Sequence, residues 1–170
     1  PFTCSSPDID ESHRPGEHAI ELVKRLAEEK ARALATTHPA HLIIGSDQVA
    51  VLGERIIGKP HTFDKARQQL LDASGASVTF LTGLALLNSK SGQCQVDCIP
   101  FTVNMRHLDS AHIERYLHAE QPFDCAGSFK AEGLGVSLFR ATEGSDATSL
   151  IGLPLIRLVD MLTNEGMQIP

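Results

Sequence analysis

Between residues 15 and 37 the apolar positions Ile20, Val23, Ala27, Ala31 and Leu34 recur at helical spacing, and Glu28, Glu29, Lys30 and Arg32 fill much of the remaining surface. The pattern predicts an amphipathic helix that His38-Pro39 stops. Leu42 to Leu52 then reads as a strand, a break at Gly45-Ser46-Asp47, and a second strand. Thr62 is placed to N-cap a helix over 63–73, which Ser74-Gly75 ends. Two long strands follow, over 77–88 and 93–107, joined by the hairpin-like Ser89-Lys90-Ser91-Gly92. In the second of them Cys94, Val96 and Cys98 alternate in one phase and Phe101, Val103 and Met105 in the other, which predicts a bulge or bend near Pro100. Asp109 caps a helix to about Ala119, and 133–139 reads as a short strand. A last helix starts near Pro154, turns Leu155, Leu158, Val159 and Leu162 to the core, and ends before Gly166. The expected fold is one α/β domain over residues 1–170, with a central mixed sheet flanked by helices.

Composition narrows the function. A chain of 170 residues with 42% apolar and 21% charged residues has the profile of a globular domain that builds its own core. Its apolar runs are too short to cross a bilayer, and the N-terminus lacks a basic region followed by an apolar stretch, so a cytoplasmic protein without a membrane partner is expected. A net charge of −6 argues against a nucleic-acid polymer as partner, since such affinity needs many cations, whereas a single nucleotide needs only a few. The four cysteines, Cys4, Cys94, Cys98 and Cys125, read as reduced thiols. Cys94 and Cys98 share one strand face, but nothing nearby supplies the other two ligands of a zinc site.

Candidate chemistry begins at Asp47. A carboxylate between two apolar runs must face a cleft, meet a cation or bind a metal, because burying it unpaired costs several kcal/mol, roughly; an Asx-turn is the plain structural alternative. Lys59 lies in Gly58-Lys59-Pro60, where the flanking residues restrict its backbone, and a lysine is a suitable point charge for phosphate. The P-loop pattern is absent. Asp8, Asp10 and Glu11 precede the first helix, either favouring its dipole or offering a metal ligand opposite Asp47. In the polar stretch 124–133, Lys130 and Glu132 are two residues apart, which in an extended segment points both the same way; a solvated ion pair in a loop is the alternative.

In order and spacing, the stretches DIDES, GSDQVAVLGERIIGKP, SGASVTFLTGLAL, AEQPFDCAGSFKAEG and LIGLPL resemble the Maf family of nucleoside triphosphate pyrophosphatases. Gln48 after the Asp, and Phe129-Lys130-Ala131-Glu132, are most similar to the YceF-like branch associated with 7-methyl-GTP. The resemblance implies hydrolysis between the α and β phosphates with a divalent metal, Mg²⁺ or in its place Mn²⁺ or Co²⁺. It implies Asp47 as the proton acceptor and metal ligand, Glu11 as its acidic partner at the metal, and Lys59 as the phosphate-binding lysine. Gln48 and Glu132 match positions linked to base choice, with Lys130 beside them. It also implies a homodimer, and an apolar strand and a Ser/Arg loop ahead of Pro1, so that the chain reads as an N-terminally truncated member. The same chemistry on dTTP, UTP or non-standard triphosphates is the nearest alternative, and a non-catalytic nucleotide-binding regulator of cell division is one of another class.

Overall fold

Two glycines set how the first helix meets the sheet. In the computed structural model, which describes residues 2–170, helix α1 (Ala19–Ala33) lies directly on strands β1 (Leu42–Leu52) and β3 (Ser77–Asn88). A Cβ at Gly45 would stand 2.0 Å from the Ala27 carbonyl oxygen, and one at Gly83 would stand 2.1 Å from that of Val23. Only residues without a side chain admit a helix backbone this close. The helix buries Leu22, Val23, Leu26, Ala27 and Ala31; Ile20, expected on the inner face, is instead 52% exposed, and Leu22 and Leu26 take its place.

Among the described residues the sheet has five strands in the order β2-β1-β3-β4-β5, with β2 at Arg55–Ile57, β4 at Cys94–Met105 and β5 at Phe139–Gly144. Helices α2 (Phe63–Ala73), α3 (Ser110–Glu120) and α4 (Leu155–Asn164) complete the α/β domain. Among the described residues every strand pair is antiparallel, so the sheet is not mixed as expected. The reason is the tight turn at Gly53-Glu54: the β1–β2 hairpin adds one reversal before α2, and β3 therefore returns opposite to β1 instead of parallel to it.

Strand β1 runs unbroken where a break at 45–47 was expected. Its backbone pairs with β3 along the whole length, including Ser46↔Leu84 and Asp47↔Gly83, so the polar side chains interrupt the apolar pattern but not the ladder. Nor is there a bulge at Pro100. Strand β4 keeps register with β3 from Cys94 to Asn104, and the one irregularity lies against β5 at Asn104/Met105. The change of phase reflects different helices on opposite faces. Cys94 and Val96 pack under α1 with Ile43, Ala85 and Leu87, while Phe101, Val103 and Met105 join the α2–α3 core with Phe80, Leu70 and Leu117. On that same second face, Ile99 packs with Leu158 and Met161 of α4.

Residues 134–138 form a 3-10 turn, with β5 starting only at Phe139, because the carbonyl of Lys130 takes the amides of Gly133 and Gly135 and curls the chain. In α4, Leu158 and Met161 are buried, but Leu155 and Val159 are exposed, since the helix covers only the Leu84–Leu86 end of the sheet. The outer edge of β1 from Leu42 to Val49 has no strand partner among the described residues, as β2 pairs only with Ala50 to Leu52. No helix among the described residues is long and apolar enough to cross a membrane.

The close contact of α1 makes a direct prediction. Gly83→Ala pushes a methyl into the Val23 carbonyl and should destabilise the chain by about 1–3 kcal/mol, read as a lower urea midpoint with an unchanged m-value. A midpoint equal to wild type would mean that α1 does not lie this close to the sheet.

Candidate active site

A cleft of about 520 Å³ opens beside the unpaired edge of β1. Glu11, Lys30, Asp47, Gln48, Lys59, Lys130 and Glu132 all line it. Every one of these except Lys30 was expected at the site from the sequence, and the fold gathers them from the N-terminal segment, β1, the 58–60 segment and the loop of 124–133.

Asp47 projects from β1 toward α1. Its cross-strand neighbour is Gly83, whose missing side chain lets the α1 backbone lie there, and its carboxylate accepts a 2.7 Å hydrogen bond from Lys30 Nζ. The same ammonium lies 2.8 Å from Glu11 Oε1. Of the outcomes open to a buried carboxylate, two hold at once: Asp47 faces a cleft and meets a cation. Burial pushes the Asp47 carboxyl above its usual range, Lys30 counteracts this only in part, and the charge of Glu11 adds to the rise. For Lys30, burial works against the ammonium, but its bonds to Asp47 and Glu11 prevail and hold its pKa above the ordinary value. Asp47 is therefore a stronger base than an exposed aspartate.

Lys30 was not read from the sequence, where it served as one of several charges on a solvated face. A signal was present: it stands seven residues after Val23 and three after Ala27, on the edge of the buried stripe. A lysine there reaches over the helix flank to whatever the sheet presents, and the sheet presents Asp47.

Glu11 is 58% exposed on its side chain and comes from a segment without regular structure. Arg25 of α1 fastens the chain next to it, donating to Glu17 through Nε at 2.6 Å, to Glu29 through Nη1 and to the Ser12 carbonyl oxygen through Nη2, the last two at 3.0 Å. The Arg25 bond, helped by the Arg14 amide and opposed by burial, brings the Glu17 carboxyl down to about 2.

Gln48 points to the sheet face opposite Asp47, as adjacent residues of a strand must. Its amide nitrogen donates to Thr82 Oγ1 at 2.8 Å and to the Ser149 carbonyl oxygen at 2.6 Å, so this donor holds the 147–151 turn against the sheet while the residue also borders the cleft. Lys59 is exposed at the cleft, and Lys130 is 4.0 Å from Glu120. The expected extended geometry of Lys130 and Glu132 is not found. Residues 131–133 form a turn, closed by the Gly133 and Gly135 amides on the Lys130 carbonyl, and Tyr116 Oη accepts from the Lys130 amide at 3.1 Å. Both side chains still border the cleft.

The carboxylate pair also bears on a metal. Mg²⁺ takes one or two protein carboxylates and draws its other ligands from phosphates and water. Glu11 and Asp47 fit that donor set. Among the described residues no group of three His, Cys, Asp or Glu side chains could enclose an ion. Cys94 and Cys98 are free thiols and belong to no such group.

The chain matches the family described as Maf-like protein over residues 1–165. It belongs to the Maf family. Relatives of this Maf chain include proteins named 7-methyl-GTP pyrophosphatase from Pseudomonas fluorescens strain Pf-5, 86% identical, and from Pseudomonas fluorescens strain Pf0-1, 83% identical. A protein of the same name from Pseudomonas aeruginosa strain PAO1 is 71% identical. Each match covers 100% of this Maf chain and 88% of the relative.

The Glu17 geometry fixes a sign for acid stability. A carboxyl held below its unfolded value of 4.5 contributes stability that is complete above that value and is lost as pH falls toward about 2. Melting midpoints of wild type and Glu17→Gln should differ at about pH 6 and converge as pH falls toward the lower limit. A difference independent of pH would show that the Arg25–Glu17 pair does not set the folded pKa.

Proposed function

We infer that this chain hydrolyses a nucleoside triphosphate between its α and β phosphates, releasing a nucleoside monophosphate and pyrophosphate, with 7-methyl-GTP as its substrate. The observation that carries the reading is the partly buried Asp47, a strengthened base, at a cleft that also presents Lys59 and Lys130 for phosphate. The name of the 71–86% identical relatives, 7-methyl-GTP pyrophosphatase, supports the choice of substrate.

In this mechanism Asp47 accepts the proton of the water whose oxygen attacks the α-phosphorus, and the bond from that phosphorus to the bridging oxygen breaks as pyrophosphate leaves. Lys59 and Lys130 hold phosphate oxygens as point charges. Lys30 keeps Asp47 ionised and aimed, so the base is ready at neutral pH. Glu11 and Asp47 would hold a divalent cation such as Mg²⁺ together with phosphate oxygens, and that ion would screen the phosphate charge and polarise the reacting phosphoryl group. Nucleoside triphosphates being cytoplasmic metabolites, the reading goes with a cytoplasmic enzyme.

Glu132 supplies selectivity. N7-methylation leaves guanine with a positive charge and with N1 and N2 hydrogens that donate, so a carboxylate gains a charge-assisted pair that a neutral amide does not match. Glu132→Gln should lower the preference for 7-methyl-GTP over UTP by about tenfold in kcat/KM, the gap between charged and neutral hydrogen bonds. An unchanged ratio would remove Glu132 from base recognition.

The reaction itself is tested by product analysis with Mg²⁺ and 7-methyl-GTP, GTP, dTTP and UTP in parallel. The expected products are 7-methyl-GMP and pyrophosphate, with kcat lowered by about 10²–10⁴ in Asp47→Asn. Release of orthophosphate would contradict the bond assigned. Saturable binding without turnover would instead favour the regulator.

A further inference from the structure

Of the lysines that line the cleft, Lys59 and Lys130 stand on separate segments, and one side chain outside the cleft joins those segments. Gln69 of α2 donates through Nε2 to the Gly58 carbonyl oxygen at 3.2 Å, immediately before Lys59. Its Oε1 accepts from the Ser128 hydroxyl at 2.5 Å, two residues before Lys130. The orientation of the amide follows from chemistry: a carbonyl oxygen can only accept, so the nitrogen must face Gly58, and the hydroxyl must donate to the remaining oxygen.

Ser128 is fully buried and holds φ +63°, a left-handed conformation that a residue with a side chain rarely adopts. Gly127 before it is at +73°, so the chain makes two successive left-handed steps just ahead of Phe129-Lys130. Such a conformation persists where surrounding contacts fix it. The hydroxyl's bond to Gln69 is one such contact, beside the Ser128 amide's bond to the Cys125 carbonyl oxygen at 3.2 Å, and without it a buried donor is left unpaired. The same two segments meet again where the His61 amide donates to the Phe123 carbonyl oxygen at 2.9 Å, with His61 itself at φ +61°. The 58–61 and 123–128 segments are therefore tied at two points, and Gln69 makes the tie nearer both lysines.

We propose that Gln69 is a positioning residue which, by bridging Gly58 and Ser128, fixes the spacing of Lys59 and Lys130 for one triphosphate. This rests on the reading of the cleft as a nucleotide pyrophosphatase site, and neither sequence pattern nor the relatives' names assign Gln69 a role. A rigid spacing matters because phosphates held by two cations gain from both only when the distance between them is set in advance.

The bridge can be cut in parts. Gln69→Leu breaks both bonds; Gln69→Glu keeps the acceptor for Ser128 but cannot donate to Gly58; Ser128→Gly removes the hydroxyl while tolerating the left-handed backbone. Hydrogen exchange of the free proteins is read over 58–60 and 127–132, alongside melting midpoints, nucleotide binding and turnover of 7-methyl-GTP. Exchange should rise in both segments for Gln69→Leu, in 58–60 alone for Gln69→Glu, and in 127–132 for Ser128→Gly. In an active wild type, Gln69→Leu should lower kcat by about tenfold or more while the protein still melts cooperatively, with a smaller loss in Gln69→Glu. Exchange unchanged in both segments would overturn the bridge, as would looser segments with unaltered kcat. Should the wild type bind 7-methyl-GTP without turning it over, the catalytic reading fails separately, and the bridge is then judged by exchange and by whether Gln69→Leu weakens binding about tenfold.

Discussion

The structure depends on how closely α1 approaches the sheet. Gly45 and Gly83 let the carbonyls of Ala27 and Val23 rest where a Cβ would otherwise be, and this nearness brings Lys30 within 2.7 Å of Asp47. One turn further out, the side chain would reach solvent and leave a partly buried carboxylate without a counter-ion, an arrangement a folded chain avoids by protonating it. The packing of a helix and the charge of a base are thus a single constraint. Arg25 extends it along the same helix, fastening Ser12 and Glu17 and so the segment that presents Glu11 to Lys30.

The cations of the cleft divide by commitment. Lys30 is held by two carboxylates and serves the base. Lys59 makes no ion pair among the described residues, and Lys130 has only a long one to Glu120, so both have charge to offer an anion in the cleft. Their backbones are held from behind, Gly58 and Ser128 by Gln69 and the Lys130 amide by Tyr116, while both side chains border the cleft. Rigid segments carrying uncommitted charges suit a flexible polyanion better than mobile segments would, because less ordering remains to be done on binding.

Local pattern made much of this legible. The caps at Thr62 and Asp109 accept from Lys65 and His112 as their residue types require, and the hairpin around Ser89–Gly92 is where expected. Asp47 was legible because a carboxylate among branched apolar residues violates the strand pattern. What the sequence did not disclose was relational. The phase change in β4 comes from which helix covers which face, and the antiparallel sheet from one additional reversal at Gly53-Glu54. The Lys30 contact depends on glycines of two strands, Gly45 and Gly83. Gln48 and Asp47 are neighbours in sequence yet serve opposite faces, and the turn at 131–133 depends on a carbonyl accepting two amides, which spacing alone does not reveal.

The function proposed for this cleft has water attack the α-phosphorus, with Asp47 as the proton acceptor. Turnover of 7-methyl-GTP in ¹⁸O-labelled water, followed by mass spectrometry of both products, tests this most directly. The label should appear in the 7-methyl-GMP and be absent from pyrophosphate. Label in pyrophosphate would mean attack at the β-phosphorus and would contradict the proposed reaction.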